Sequence, residues 1–359
     1  MKITLDCRHI NASGGIGVYF RELLPFFLSS GASIILLGDE KYLSQLVKNS
    51  SVETAHCNIK PFSLRDTFVF PKSVLKKINS GDIYYTPYFN IPDGIKIPVY
   101  STIHDIIFAD MPNIVSKSGL WARMYFYKRV ARLSKTIFTV SEFSKSRIKH
   151  FLGNSINVIN ASNAVNTPNN LYSENKLEKK KIILFIGNIK KHKGLNILLD
   201  AFLQCKNEGL DYELIIVGSR NNFRSGDKKT SKRLDCLEGK GVSFTGFIND
   251  EEKWKLLSQS ALLVQPSLYE GFGYPPLEAM LSGTQALISD ISVFKEVFSD
   301  FPVIFFQSGD CLSLHDKLME ILFNKKPQNL HLDDSLKNKY SFEKTFSIIK
   351  ETIWRHSSI

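Results

Sequence analysis

Short apolar runs alternate with amphipathic segments along most of the chain. In the first half, runs at 3–6, 33–38, 82–87, 99–104, 136–140 and 157–159 are of strand length. Between them, apolar positions recur at helical spacing near 17–29, 41–48, 74–79, 116–134 and 142–151. A polar stretch rich in Asn, Ser and Pro follows, and about 160–181 is expected to be a linker. The rhythm then restarts. Strands are expected at 182–187, 213–218, 242–246, 261–265, 286–289 and 303–306, and helices near 194–206, 228–238, 251–260, 276–282, 293–298 and 311–323. A last segment, 341–354, places Phe342, Phe346, Ile349 and Ile353 on one helical stripe. Strands alternating with helices in two rounds predict two α/β domains with mainly parallel sheets.

Composition changes this picture little. At 359 residues, with 43% hydrophobic and 23% charged positions, the chain suits two soluble cores. No apolar run approaches the roughly 18 residues of a membrane span. The first residues lead straight into a strand, so no signal peptide is expected. Five scattered cysteines without metal spacing fit a reducing cytoplasm. Charge is more informative. Residues 1–165 carry 20 Lys and Arg against 11 Asp and Glu, a net of +9 within the total of +11. That imbalance suggests an anionic partner for the first half. No nucleic-acid-binding signature accompanies it, so an anionic membrane surface or a phosphorylated acceptor is expected instead.

The chemistry concentrates in Pro266-Ser-Leu-Tyr-Glu-Gly-Phe-Gly-Tyr-Pro-Pro-Leu-Glu-Ala-Met-Leu-Ser-Gly283. An apolar run precedes it, Pro275 and Pro276 favour a helix's first turn, and Gly283 suits its end. The pattern is strand, glycine turn, helix. A helix start offers unpaired N–H groups and a positive dipole end, so an anion is expected over Gly271, Phe272 and Gly273. Glu270 and Glu278 would then flank a phosphate and accept hydroxyls on either side, which describes a nucleotide-sugar. The plainer alternative is a shaped turn with solvated glutamates. The string resembles the Glu-x7-Glu signature of the large retaining family of GT-B glycosyltransferases, through Glu270, Gly271, Phe272, Gly273, Pro276, Glu278, Ala279, Met280 and Gly283.

Other segments are similar to elements of that family. Gly187-Asn-Ile-Lys-Lys-His-Lys193-Gly194 follows a strand and opens a helix, and its plainer reading is a solvated lysine cluster. The resemblance makes Lys193 a contact of the donor diphosphate. Asn188 stands where many members have Arg, so Lys190 or Lys191 must compensate or the donor is held differently. The loop with Gly14, Gly15 and Gly17 resembles the acceptor-side glycine loop, whose Gly15 and Gly17 approach sugar and diphosphate. His104, at a strand end, corresponds to the family histidine that meets the donor sugar, with Asp105 as an expected orienter. Ser141 is read as a helix cap. Gly218, Phe247 and Ile248 end neighbouring strands and would face the nucleoside. The helix around 118–133 combines bases and aromatics, with Trp121, Arg123, Lys128, Arg129 and Arg132 outside its apolar face. Packing on the sheet or lying on anionic lipid both suit such a helix.

The resemblance implies a GT-B fold: two Rossmann-like, doubly wound domains facing a cleft, with the last helix crossing back to the first. Residues 1–165, with 341–359, would bind the acceptor, and 166–340 the nucleotide-sugar. The implied activity is retaining, metal-independent hexosyl transfer, with His104, Glu270 and Lys193 as catalytic residues and no cofactor. The closing Asp290-Ile-Ser-Val-Phe-Lys-Glu-Val297 is most similar to bacterial members using GDP-mannose. A lipid-linked acceptor of surface polysaccharide (O-antigen) synthesis is therefore expected, at a cytoplasmic location with peripheral membrane contact and no nucleic acid. UDP-glucose, UDP-N-acetylglucosamine or dTDP-rhamnose donors, and a catalytically silent nucleotide-sugar-binding subunit, remain alternatives.

Overall fold

The computed structural model describes residues 1–11, 14–46, 52–59, 61, 64–168, 178–219 and 227–355. The middle of the expected linker, 169–177, lies outside them. The chain divides into two compact units. The first comprises 1–112, 116–166 and 340–359, and the second 113–115 and 167–339.

In the first unit the elements run β1 (Lys2–Asp6), α1 (Gly15–Leu28), β2 (Ser33–Gly38), α2 (Glu40–Leu46) and β3 (Val52–His56). Then come α3 (Leu64–Phe68), α4 (Lys72–Ile78), β4 (Ile83–Thr86), β5 (Val99–Thr102), α5 (Ile107–Asp110) and α6 (Lys117–Leu133). β6 (Ser134–Thr139), α7 (Glu142–Leu152) and β7 (Val158–Asn160) complete this part. The sheet order is β3-β2-β1-β4-β5-β6-β7, and every pair is parallel.

The second unit runs β8 (Lys180–Ile186), α8 (Leu195–Asn207), β9 (Glu213–Val217), α9 (Lys228–Leu237), β10 (Val242–Gly246), α10 (Asp250–Gln259) and β11 (Ser260–Gln265). α11 (Tyr274–Leu281), β12 (Gln285–Ser289), α12 (Ser292–Val297), β13 (Ile304–Phe306), α13 (Cys311–Leu322) and α14 (Asp334–Lys337) follow. Its parallel sheet has the order β10-β9-β8-β11-β12-β13. The central strands read as continuous apolar runs because helices cover both faces: all six residues of β11 are buried. α8 shows the matching helical face, with Leu195, Leu198, Leu199, Phe202 and Cys205 buried.

In each sheet the chain starts in the middle, winds one way, then returns to wind the other. The reversal falls between β1 and β4 in the first unit and between β8 and β11 in the second. Loops leaving the carboxyl ends of such strands diverge and leave room for a ligand. These are the places to look for function.

The last helix, α15 (Phe342–Arg355), belongs to the first unit. Its Phe342, Phe346, Ile349 and Ile353 enter the core that contains Tyr19, Phe27 and Tyr85. Phe346 meets Phe27 edge-on at 5.0 Å, and Thr345 Oγ1 donates to the Ser162 carbonyl at 2.6 Å. A 14-residue helix is marginal in isolation. Burial of four large side chains, at roughly 1.5–3 kcal/mol each, is what holds it.

Candidate functional site

At the end of β11 the chain turns sharply into α11. Gly273 caps that helix at φ 116°, and a Cβ there would press within 2.7 Å of the Phe294 ring. Positive φ and lack of space both require glycine. Tyr274 starts the helix, with Pro275 and Pro276 in its first turn, where their missing N–H groups cost nothing. The helix ends as expected at Gly283, φ 78°, with the Thr284 N–H bonded to the Ala279 carbonyl at 2.8 Å. Phe272 turns its ring inward and is 3% exposed, so only its backbone is available to a ligand.

Glu270 lies in the loop between β11 and α11. Its Oε1 accepts from Lys193 Nζ at 2.6 Å and from Ser267 Oγ at 2.7 Å. Lys193 comes from the loop after β8, across the switch point. A tight 3-10 turn at Lys191–Lys193 ends on Gly194, φ 66°, packed so closely that a Cβ would run into the Pro266 carbonyl. This close approach brings Lys193 to Glu270, two residues that the sequence analysis singled out separately.

Glu278 is buried inside α11, and its Oε1 accepts from Lys253 Nζ of α10 at 2.8 Å. Burial disfavours charge on Lys253, but Glu278, with Asp250 beyond it, more than offsets this and raises its pKa above the usual lysine value. Sequence reasoning missed Lys253. Its i,i+3 spacing from Asp250 suggests only a surface pair. A second missed residue is His192, buried in the 3-10 turn with Nδ1 unpaired. Burial, then the neighbouring Lys193 and Lys190, push its pKa down to about 2, so the ring is neutral.

Asn188 does not offer a charge; its Oδ1 accepts from the Ser219 N–H at 3.1 Å and ties the β8 loop to the end of β9. Gly218 serves the same packing: a Cβ there would collide with the Gly187 carbonyl. Beyond β10, Phe247 is 76% exposed and Ile248 partly buried. An outward aromatic at a strand end is a surface for stacking a planar ring.

In the first unit, Gly15 and Gly17 fall within the first turn of α1 rather than in the loop before it. Gly15 is exposed and Gly17 buried. His104 follows β5. The Pro87 backbone carbonyl, just past β4, engages one ring nitrogen, and Nε2 is buried with no partner. Burial pushes its pKa down to about 4. The neutral ring thus presents a bare acceptor nitrogen, flanked edge-on by Tyr19 at 4.8 Å. Asp105 does not orient it, contrary to expectation; its Oδ1 accepts from the Ile107 N–H at 3.1 Å. Ser141 caps α7 as expected, accepting from the Ser144 N–H at 3.1 Å.

Arg8, in the glycine-loop segment, is enclosed. It pairs with Asp6 and Asp66, and Tyr84 donates to Asp6 at 2.7 Å. Burial opposes the charges, yet Arg8 holds the Asp6 carboxyl below its ordinary pKa. Arg129 is likewise not on the outer face of α6: it is buried, pairs with Asp93 and donates to the Ile91 carbonyl. A charged residue 36 positions from its partner looks solvated in sequence.

Residues 167–335 match the family Glycosyl transferases group 1. The chain is 32% identical over 204 residues to O-antigen chain mannosyltransferase RfbU of Salmonella typhimurium, covering 55% of this chain and 54% of that one. It is 28% identical over 234 residues to O-antigen chain mannosyltransferase B of Escherichia coli, covering 61% and 59%. The chain thus spans little more than half the length of these curated relatives. Among solved structures, Anabaena Alr3699/HepE in complex with UDP-glucose superposes with a TM-score of 0.71 at 17% identity, covering all of both chains. Sucrose-phosphate synthase from Thermosynechococcus elongatus gives 0.68 at 16% identity, covering 99% and 98%. The two parallel-sheet units therefore have the GT-B fold.

Proposed function

We propose that this chain, whose residues 167–335 form a glycosyl transferases group 1 domain, transfers a hexose from a nucleoside diphosphate donor to a saccharide acceptor. The reading adopts mannose from GDP-mannose as the donor, retention at the anomeric carbon, and a lipid-linked acceptor of surface polysaccharide synthesis at a membrane face. Similarity to O-antigen mannosyltransferases supports the sugar and the acceptor class.

The observation that carries the reading is the arrangement at the second switch point. Two carboxylates flank the glycine turn opening α11, and each is held by a lysine. A nucleotide-sugar has hydroxyls at both ends and negative charge between. Glu278 would take the ribose hydroxyls and Glu270 the sugar hydroxyls. Lys193 would meet the diphosphate, where negative charge grows as the glycosidic bond breaks. Glu270 would thus exchange part of its bond to Lys193 for sugar hydroxyls, releasing the ammonium toward phosphate. Phe247 suits the base, and His104 offers Nε2 to a substrate hydroxyl. In the step itself the anomeric C–O bond to phosphate breaks as the bond to the acceptor oxygen forms on the same face. The acceptor proton passes to the departing phosphate oxygen, so no metal and no side-chain nucleophile is required.

The test is turnover with GDP-mannose, UDP-glucose, UDP-N-acetylglucosamine and dTDP-rhamnose without added metal, following nucleoside diphosphate release. GDP formation from GDP-mannose, with an α-linked product by NMR, is expected. Release from a different donor alone would overturn the mannosyl assignment. Donor binding without turnover would favour a silent subunit.

A further inference from the structure

The outer face of α6 differs from a solvated helix. Lys117, Trp121, Tyr125, Lys128 and Arg132 follow one another at spacings of four, four, three and four, so they form a single stripe, and all are exposed. Trp121 is 74% exposed and Tyr125 40%, with their rings stacked at 6.3 Å. At the end of α3, Phe68 (49% exposed) stands 6.5 Å from Tyr125, and Val69 beside it is 66% exposed. The patch is therefore aromatic at its centre and cationic at both ends.

Its charge has one sign. α6 contains five Lys and Arg and no Asp or Glu. The two inward arginines are committed elsewhere: Arg129 pairs with Asp93, and the Arg123 guanidinium lies 4.1 Å over the Phe108 ring. Lys117, Lys128 and Arg132 make no ion pair among the described residues. Exposed rings without compensating carboxylates would be a liability on a face that met only water.

We infer that this face of α6, with the end of α3, is a docking surface for an anionic lipid bilayer. Trp and Tyr settle at the headgroup level, with polar edges in water and ring faces against acyl chains. Lysines and arginines on either side engage anionic headgroups, and the net +9 of residues 1–165 adds attraction at longer range. Among the described residues no helix is long and apolar enough to cross a membrane. The inference deepens the lipid-linked acceptor reading by naming how the chain reaches a membrane, but lipid binding is measurable without turnover.

The experiment is flotation of the full chain with vesicles of phosphatidylcholine alone or with added phosphatidylglycerol. Binding to the anionic vesicles only is expected, weakening as salt rises. Each of Lys117→Ser, Lys128→Ser and Arg132→Ser should lower partitioning roughly fivefold. Trp121→Ser combined with Tyr125→Ser should lower it by about tenfold or more. Nucleotide-sugar binding, measured on the same variants, should stay unchanged, which separates failure of this surface from failure of the enzymatic reading. Absence of binding to anionic vesicles, equal binding to both kinds, or binding indifferent to these substitutions would overturn the proposal. Self-association abolished by Trp121→Ser would also overturn it and assign the face to a second copy.

Discussion

The two units use buried charge in opposite ways. Beside β1, Arg8 is sealed between Asp6 and Asp66, with all three side chains at most 3% exposed. Beside β8 and β11, the pairs Lys193–Glu270 and Lys253–Glu278 keep 9–18% of each side chain open. An enclosed network cannot exchange partners without leaving a bare charge in a low-dielectric interior. A partly open pair can trade a bond to lysine for one to a hydroxyl or phosphate. The first arrangement fixes a loop, whereas the second can respond to a ligand. Charged residues in motif positions therefore have different jobs, and exposure distinguishes them.

Substitutions sharpen this contrast. Arg8→Met strands two buried carboxylates and should cost about 3–5 kcal/mol of stability, read as a lowered denaturant midpoint. Under the proposed function, Lys193→Met should instead cost about 100- to 1,000-fold in turnover, because the departing diphosphate would lose that positive charge. Its loss of stability should be smaller, since Glu270 keeps Ser267 as a donor. If Lys193→Met unfolded the protein as readily as Arg8→Met, the contrast would disappear.

Acid gives a second separation. His104 has its pKa depressed from 6.5 to about 4 in the folded chain. The unfolded chain therefore binds that proton more tightly, so this contribution is complete above about pH 6.5 and declines as pH falls toward 4. The loss from this one group should reach about 2 kcal/mol at pH 5. Urea midpoints from pH 7 to 5 should thus fall less steeply for His104→Gln than for the native chain. The smallest effect is expected for Lys253→Met, where Glu278 keeps its place in α11 but loses its partner. Donor affinity should change by only about tenfold, the low end of the scale for one charge-assisted bond.

Much of the architecture was legible because periodicity is local. Each second-unit strand appears where an apolar run predicts it, and α11 begins within two residues of its proline pair. The first unit held more back. β3 is an edge strand reading Val-Glu-Thr-Ala-His, in which Ala55 alone is buried, so no apolar run marks it. α3 and α5 have five and four residues, too few to establish a helical period. At the site, Glu270, Glu278 and Lys193 stand in recognisable strings. Lys253, Asp66 and the Pro87 carbonyl do not, because each acquires its role from a partner 17 to 58 positions away. Asp105 was misjudged for the converse reason: sequence adjacency to His104 suggested a contact that the turn into α5 directs elsewhere.

The central claim is that Glu278 reads the ribose of a nucleotide-sugar. It is tested most directly by calorimetric titration of GDP-mannose into the native chain and into Glu278→Gln, with the other three donors as controls. One donor should bind the native chain in clear preference, and Glu278→Gln should weaken it by about tenfold or more while the unfolding midpoint shifts little. Equal affinity in the two proteins would contradict the assignment.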